Sequence, residues 1–300
     1  MSAVRQLVVI SGKGGTGKTS VVGAFAALAD GAVLADCDVD AANLHLILEP
    51  RLGEPHDFSG RNRAIIDQTA CRACGRCADV CRFDAVSVRD GQYVINPLAC
   101  EGCEFCRREC PWNAIHMEPV VNGTWMVSET SFGPLVHARL GIAEDNSGKL
   151  VTLVRQQAQE VAEQRDLPLV IVDGAPGIGC PVIASLTGAD VVLAVTEPTV
   201  SGRHDLARVL EVVRRFKLPF GVCVNKADLN PEISEHIVAE AVERGALFVA
   251  HVGYDAAVTR AQVAGLDLVT YGGTAVQEIR MLWDSVAAAL NTSRRKAVDT

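Results

Sequence analysis

The sequence contains no long cluster of basic residues, and no apolar run approaches the ~18–20 residues that a membrane span needs. Its net charge is −8, and this acidic balance argues against a general binder of nucleic acid or of anionic membranes. The opening stretch, MSAVRQLVVISGKGG, shows no charged-then-apolar signal segment. We therefore expect a soluble, cytoplasmic protein with no nucleic-acid partner and no membrane attachment.

Short apolar runs of strand length recur along the chain, among them RQLVVI, AVLADCD, LPLVIVD, DVVLAVTEP, PFGVCVN and LFVAHV. Helical stretches such as SGRHDLARVLEVVRRF lie between them. Strands without polar alternation are buried on both faces, so we expect an α/β fold with a doubly wound, mostly parallel sheet. Lost periodicity and dense cysteines mark 62–118 as a small inserted α+β domain, which leaves 1–61 and 119–300 as the core.

The stretch GKGGTGKT, residues 12–19, satisfies the pattern G-x-x-x-x-G-K-S/T between a predicted strand and a predicted helix. Glycines let successive backbone N–H groups face phosphate oxygens, and the helix dipole adds positive potential there. Lys18 is expected to neutralise the β- and γ-phosphates, and the Thr19 hydroxyl to bind Mg²⁺. The predicted nucleotide-binding residues of this loop are Gly12, Gly14, Gly15, Thr16, Gly17, Lys18 and Thr19.

A second lysine, Lys13, stands in the same loop. It resembles the signature lysine of the deviant Walker A ATPases, the group of MinD, Mrp/ApbC and the nitrogenase iron protein. The resemblance implies an ATPase that forms a homodimer on ATP binding, with Lys13 reaching the phosphates of the other subunit as an arginine finger does elsewhere. A solvated lysine is the alternative.

Carboxylates follow the second predicted strand in the stretch Asp36-Cys37-Asp38-Val39-Asp40. Carboxylates at the end of a buried strand are costly unless they face a cation or a reacting water. The stretch resembles switch I of the same family, which implies that Asp38 orients or activates the attacking water and that Asp36 supports the metal shell. Asp40 has two open roles, a site residue or the N-cap of the next helix.

Two later segments resemble the remaining parts of such a site. Asp173 leads into a D-x-x-P-G stretch like switch II, which implies that Asp173 holds a Mg²⁺-bound water and that the Gly177 amide senses the γ-phosphate. Asn225 begins an N-K-x-D stretch that looks like the guanine-reading motif of GTPases, whereas the deviant Walker A relatives place an asparagine against adenine. We favour ATP, with Asn225 as the base contact, and GTP stays open.

Eight of the eleven cysteines form two runs of the spacing C-x2-C-x2-C-x3-C. Bacterial ferredoxins with two 4Fe–4S clusters have this spacing, in which the fourth cysteine of each run ligates the other cluster. Zinc is the alternative, but these runs suit separate tetrahedral zinc sites poorly. The first predicted cluster is held by Cys71, Cys74, Cys77 and Cys110. The second is held by Cys100, Cys103, Cys106 and Cys81.

Three cysteines remain outside the runs. Cys37 and Cys223 lie in or beside apolar strands, so we expect buried, inert thiols. Cys180 lies just past the switch II glycines, near a cluster-holding cysteine of the nitrogenase iron protein. A second cysteine for such a bridging role is not evident, so a packed thiol is the favoured reading of Cys180.

The combined features predict a dimeric, Mg²⁺-dependent ATPase that couples hydrolysis to electron transfer through two 4Fe–4S clusters, with a redox or iron–sulfur protein as partner. Two alternatives remain open, an iron–sulfur assembly carrier and a regulatory ATPase that senses redox state. The C-terminal stretch TAVQEIRMLWDSVAAALN is expected to be a core-packing helix. No chemistry can be derived for residues 131–151.

Overall fold

The computed structural model describes residues 4–141 and 147–298, and these form two compact units. The first unit contains residues 4–56, 125–140 and 147–298, and the main segment of the second is Asp57–Thr124. The second unit includes all of the predicted insert, 62–118. Of the stretch 131–151, residues 142–146 lie outside the described part of the chain.

The strands and helices of the two units are numbered in chain order. The strands are β1 (Arg5–Ser11), β2 (Val33–Asp36), β3 (His56–Phe58), β4 (Arg61–Ile66), β5 (Val86–Arg89), β6 (Gln92–Ile95), β7 (Ile115–Val120), β8 (Gly123–Thr130), β9 (Gly133–Leu140), β10 (Leu169–Pro176), β11 (Val191–Thr196), β12 (Phe220–Asn225) and β13 (Val249–Val252). The helices are α1 (Lys18–Leu28), α2 (Leu44–Leu48), α3 (Arg76–Asp79), α4 (Phe105–Glu109), α5 (Ser147–Gln164), α6 (Cys180–Leu186), α7 (Val200–Arg215), α8 (Pro231–Glu243), α9 (Ala256–Val263), α10 (Leu268–Tyr271) and α11 (Val276–Val298), with a 3-10 turn at Ala227–Leu229.

A nine-stranded sheet has the strand order β13-β12-β11-β1-β10-β2-β9-β8-β3. The seven strands from β13 to β9 pair in parallel. Their runs of β-branched and aliphatic residues lack polar alternation because helices cover both faces, and four consecutive residues of β1, 7–10, are fully buried. The predicted α/β fold with a large, mostly parallel sheet is confirmed.

The sheet register brings the predicted acidic residues together. Asp173 in β10 lies opposite Asp36 in β2, and Val9 in β1 lies opposite Asp173 on the other side. All three strands are parallel, so their carboxyl ends meet at one edge, where ligands bind in folds of this kind. The glycine-rich loop of residues 12–19, which follows β1, therefore begins beside the carboxylates of Asp36 and Asp173.

Helices α1 and α11 pack together in the large core of the first unit. The rings of Phe25 and Trp283 lie 5.0 Å apart between centroids, and Leu282, Val286 and Leu290 of α11 are buried in the same core. The prediction that the C-terminal stretch forms a core-packing helix is confirmed. Among the described residues, none of the helices combines the length and apolarity that crossing a bilayer requires.

The second unit is small and rich in short elements. Strands β4 and β7 pair antiparallel, as do β5 and β6, and the short helices α3 and α4 follow the cysteine loops. Among the described residues, its hydrophobic cluster has five buried side chains, those of Ala64, Ile66, Ala85, Cys100 and Ile115. A core of this size is small for a unit of about 70 residues, and small domains commonly use disulfides or metals as additional stabilisation.

Candidate functional site

The glycine-rich loop connects β1 to α1, and Lys18 is the first residue of that helix. Gly15 and Gly17 have φ angles of +81° and +91°, which residues with a Cβ rarely adopt. A Cβ at Gly17 would also lie 2.2 Å from the Asn225 Nδ2 atom. The glycines therefore allow the turn that aims the first N–H groups of α1 into the loop, where an anion is favoured.

The ammonium group of Lys18 is buried beneath this loop. It forms an ion pair with Asp173, and its Nζ lies 3.9 Å from the Asp38 Oδ2 atom. Burial alone would lower the pKa of Lys18, but the charge and hydrogen bond of Asp173 outweigh it and raise the pKa. Lys18 is therefore a permanent positive charge at the centre of the loop.

Asp36 orders the segment that follows β2. Its Oδ1 accepts a hydrogen bond from the Asp38 N–H, and its Oδ2 accepts one from the Leu44 N–H, each at 3.1 Å. Complete burial and the charge of Asp173 raise the pKa of Asp36 to about 7. Asn43 occupies the N-cap of α2, so the prediction that Asp40 is the N-cap is wrong. Asp40 instead lines a cavity beside the glycine-rich loop.

A cavity of about 560 Å³ opens beside the loop. This volume lies within the usual range of small-ligand sites. The Thr16 Oγ1 and Asp173 Oδ2 atoms are buried and have no hydrogen-bond partner among the described residues. Because an unpaired buried polar atom costs about 1–3 kcal/mol, these atoms favour a polar ligand or a cation. Lining residues include Gly14, Gly15, Thr16, Gly17, Lys18, Thr19, Asp38, Asp40, Pro176 and Gln262.

Two of the predicted nucleotide contacts are engaged within the protein. The Gly177 N–H donates to the Ser11 carbonyl oxygen at 2.9 Å. The Asn225 side chain donates from Nδ2 to the Thr16 carbonyl at 2.8 Å, and its Oδ1 accepts from the Lys226 N–H at 3.0 Å. Asn225 thus braces the glycine loop, and a phosphate contact by Gly177 requires this N–H to leave Ser11.

Lys13 is held by its own chain. Its Nζ lies 2.6 Å from the Glu197 Oε1 atom, at the carboxyl end of β11. Lys226 contacts the other oxygen of the same carboxylate, Oε2, at 3.1 Å. Burial would raise the pKa of Glu197, but its hydrogen bonds and ion pairs with the two lysines lower it, so the carboxylate is charged at neutral pH.

A buried histidine lies next to the switch-like segment. His137 in β9 is opposite Asp36 in β2, and its Nε2 lies 2.8 Å from the Ser128 Oγ atom. The ring of His45 in α2 stacks near it, with centroids 6.1 Å apart. Burial, followed by the charges of His45 and Arg139, lowers the pKa of His137 to about 4. His137 is therefore neutral at physiological pH.

The eight clustered cysteines of the second unit line two separate cavities. Each cavity takes three cysteines from one run and the fourth from the other run. The first cavity is lined by Cys71, Cys74, Cys77 and Cys110. The second is lined by Cys81, Cys100, Cys103 and Cys106.

Among the described residues, these cysteines do not form a site that would hold one metal ion. Within residues 4–141 and 147–298, no group of three or more His, Cys, Asp or Glu side chains is arranged to hold one ion. Four thiolates on one Zn²⁺ would stand only about 3.8 Å apart, because each Zn–S bond is about 2.3 Å. The backbone N–H groups of Ala64 and Ala73 donate to the Sγ atoms of Cys100 and Cys71.

The three remaining cysteines differ in exposure. Cys37 and Cys223 are fully buried, and burial raises the pKa of both thiols, that of Cys223 to about 12. Cys180 is exposed at the start of α6. The expectation of a packed thiol is therefore wrong for Cys180, because α6 begins at this residue and leaves its first side chain facing solvent.

Comparison with known proteins decides the family of this molecule. Residues 7–269 match the model of the CobQ/CobB/MinD/ParA nucleotide binding domain. The chain belongs to this family. The glycine loop of this CobQ/CobB/MinD/ParA domain is thus its P-loop, and the buried lysine beneath the loop is Lys18.

Relatives of this nucleotide-binding domain are found among sequences and among solved structures. An uncharacterized protein from Methanocaldococcus jannaschii is 34% identical over 234 residues, which are 77% of this chain and 81% of that protein. The cell division ATPase MinD of Pyrococcus furiosus has a TM-score of 0.54 and 18% identity, covering 95% of this chain and 98% of that chain. The septum site-determining protein MinD of Pyrococcus horikoshii OT3, complexed with Mg-ADP, has a TM-score of 0.53 and 16% identity, covering 96% and 98%. The two structures show the shared P-loop fold.

Several residues of the nucleotide-binding domain were not singled out by sequence analysis, among them His137, Glu197, Lys226 and Gln262. Glu197 pairs with both Lys13 and Lys226 near the loop, and Gln262 lines the cavity and donates to the Ser20 Oγ atom. Glu197 and Lys226 follow β11 and β12, the strands beyond β1. The rule that ligands bind at the carboxyl ends of parallel strands was the available signal, but it needs the strand order.

Proposed function

We propose that this chain binds and hydrolyses ATP as a nucleotide-dependent dimer, and that hydrolysis is coupled to electron transfer through two 4Fe–4S clusters. The observation that carries the proposal is the partition of the cysteines. Two cavities each collect four cysteines, and each includes one cysteine from the other run. Crossed ligation of this kind is typical of two-cluster ferredoxins.

The nucleotide part of the proposal assigns a role to each polar group at the loop. Lys18 leaves Asp173 to neutralise the phosphates, while loop N–H groups bind their oxygens. Thr19 would supply a hydroxyl oxygen to Mg²⁺, the freed Asp173 would hold a Mg²⁺-bound water, and Asp36 would support this metal shell. Asp38 orients the attacking water. Support comes from the unpaired Asp173 Oδ2 atom and from the Mg-ADP complex of the Pyrococcus horikoshii MinD.

ATP is favoured over GTP by the surroundings of the N-K-x-D stretch. A guanine-reading aspartate needs a free carboxylate for the N1 and N2 donors of the base. Here the Asp228 Oδ1 atom accepts the Tyr254 N–H at 2.6 Å, so one of the two oxygens that would meet those donors is already bound to the backbone after β13. Within the described parts of the chain, Asn225 Oδ1 accepts one hydrogen bond, from the Lys226 N–H, and it retains a lone pair for the amino group of adenine.

The dimeric part of the proposal depends on Lys13. Its chain position matches the lysine that acts across the interface in the deviant Walker A group. Lys18 already supplies a positive charge to the phosphates bound by its own subunit. Lys13 therefore stabilises the charge of the transition state most when it reaches the phosphates bound by the other subunit. A single protomer would then hydrolyse ATP slowly, and dimerisation would switch hydrolysis on.

The residues of the second unit fit the iron–sulfur assignment. Their thiols converge in two sets of four, with apolar walls from side chains such as Phe83, Phe105 and Trp112. When bound, such clusters accept and donate single electrons. The chain contributes the thiolate ligands, N–H donors to sulfur, and a shell that limits solvent access. A complete set of four cysteine ligands holds a cluster tightly, which favours electron transfer over a role as a carrier that delivers its cluster to another protein.

The test begins with iron and sulfide quantification and visible spectroscopy of anaerobically purified protein. Reduction of a small acceptor protein by the chemically pre-reduced chain is then followed with and without ATP, in the native chain and in Lys13→Ala. Lys149→Ala in α5 is the matched control, since it removes an exposed lysine from the surface of the same unit. We expect ATP-dependent reduction in the native chain and the control, and its loss in Lys13→Ala.

Each contrary outcome removes a different part of the proposal. Protein without iron and sulfide contradicts the clusters. Equal reduction rates in the native chain and Lys13→Ala contradict gating by ATP. Transfer of iron to an apo-ferredoxin in place of reduction points to a carrier, and an ATPase rate that follows redox state without acceptor reduction points to a sensor.

A further inference from the structure

Glu197 occupies an unusual position between two lysines. It lies just after β11, and its side chain is only 17% exposed. Its two carboxylate oxygens bind different partners, Lys13 through Oε1 at 2.6 Å and Lys226 through Oε2 at 3.1 Å. Lys226 also reaches the Gly15 carbonyl at 3.4 Å, so this carboxylate is connected to the P-loop from both sides.

The ammonium group of Lys13 is fully satisfied within its own chain. A lysine has three N–H donors, and three acceptors surround this Nζ atom. They are the Glu197 carboxylate, the Ser201 Oγ at 3.1 Å and the Thr199 Oγ1 at 3.5 Å. Thr199 caps α7 and Ser201 lies in its first turn, so these two acceptors are attached to one helix.

We propose that Glu197 is a positioning residue that holds Lys13 within its own chain and thereby opposes formation of the nucleotide-bound dimer. This inference rests on the proposed action of Lys13 in the other subunit. The same ammonium group is not able to keep these three partners and also bind a phosphate of another protomer. Each protomer must therefore break its Lys13–Glu197 pair before the dimer closes.

The consequence is a threshold against premature dimerisation. A half-buried ion pair of this kind contributes modestly, and two pairs break for each dimer formed. From the usual range for such pairs, we expect their removal to tighten the dimer about 2- to 30-fold.

The variant Glu197→Gln tests the inference because it keeps the shape of the side chain and removes its charge. The dimer dissociation constant is measured by analytical ultracentrifugation with a non-hydrolysable ATP analogue and Mg²⁺. Glu240→Gln is the matched control, since it breaks the ion pair of Glu240 with Arg203 between α7 and α8. We expect a tighter dimer in Glu197→Gln, a smaller gain in Ser201→Ala, and no change in Glu240→Gln.

A second measurement is independent of dimerisation. The labelling rate of Lys13 by an amine-reactive reagent is followed by peptide mass spectrometry in nucleotide-free protein. We expect faster labelling in Glu197→Gln than in the native chain or Glu240→Gln. An unchanged labelling rate, or a dimer that is unchanged or weaker in Glu197→Gln, overturns the inference. A native chain that never dimerises contradicts the proposed function, while the labelling result still decides whether Glu197 holds Lys13.

Discussion

Three glycines of the P-loop have different surroundings, and replacing each by alanine gives a graded prediction. Gly14 has no positive φ, and no atom of the described residues lies within 4 Å of a Cβ built there. Gly15 has a φ of +81° with equally open space around it. Gly17 combines a φ of +91° with a Cβ position 2.2 Å from the Asn225 Nδ2 atom.

The magnitudes follow from these surroundings. A left-handed backbone costs a residue with a Cβ about 1–2 kcal/mol, so Gly15→Ala should destabilise the free protein by about that amount. Gly17→Ala carries the same cost, and it also displaces Asn225 from the Thr16 carbonyl. Loss of that hydrogen bond adds about 1 kcal/mol, for a total of about 2–3 kcal/mol. Gly14→Ala should leave stability unchanged or raise it by up to about 1 kcal/mol.

The assay is urea unfolding of nucleotide-free protein, followed by far-UV circular dichroism under anaerobic conditions. Most of the helices belong to the first unit, so the signal reports chiefly on the unit that carries the P-loop. The urea concentration at the unfolding midpoint should be highest for Gly14→Ala, lower for Gly15→Ala and lowest for Gly17→Ala. The reasoning fails if Gly17→Ala unfolds at the same urea concentration as Gly14→Ala.

Three further predictions concern protonation and the cysteines. Asp36 has a pKa of about 7, so binding of Mg²⁺ and nucleotide at pH 7 should release up to about half a proton per chain. Calorimetry in buffers of different ionisation enthalpy should detect this proton release at pH 7 and find none at pH 9. Because the pKa of His137 lies near 4 in the folded chain, the unfolded chain takes up a proton first as pH falls below about 6.5. His137→Asn should therefore lose less stability between pH 7 and pH 5 than the native chain, by at most about 2 kcal/mol in urea titrations. If ligation is crossed, the double variant Cys71→Ser/Cys110→Ser should keep one intact cluster and half the iron. The double variant Cys71→Ser/Cys81→Ser should damage both clusters. The reverse pattern would contradict the assignment.

The sequence predicts those features of the molecule that depend on one continuous segment of the chain. The P-loop is one continuous segment, and its glycines, its lysine and the start of α1 must stand together in any fold that uses them. The parallel sheet follows from apolar runs without alternation, since only strands covered on both faces tolerate such runs. The end of each strand then indicates where Asp36 and Asp173 lie, and the register confirms that they are neighbours.

Other features depend on which strands are adjacent, and single-sequence patterns do not contain that information. Glu197 meets Lys13 only because β11 pairs with β1, although the two strands are far apart in the chain. His137 lies beside Asp36 because β9 extends the sheet next to β2. The exposure of Cys180 depends on where α6 begins, and helix boundaries are the least certain part of a sequence-based prediction.

The two units stabilise themselves by different means, and this difference links the chemistry of the cysteines to folding. The first unit buries a wide sheet between helices, so its P-loop stands on a rigid support. The second unit has a buried cluster of five side chains, of which Cys100 is one, and five other cysteines pack against that cluster. Thiols that ligate metal must lose their protons, and burial of Cys106 raises its pKa to about 11. Binding energy supplied by a ligated group would therefore serve to deprotonate these thiols and to stabilise a unit that has little other core.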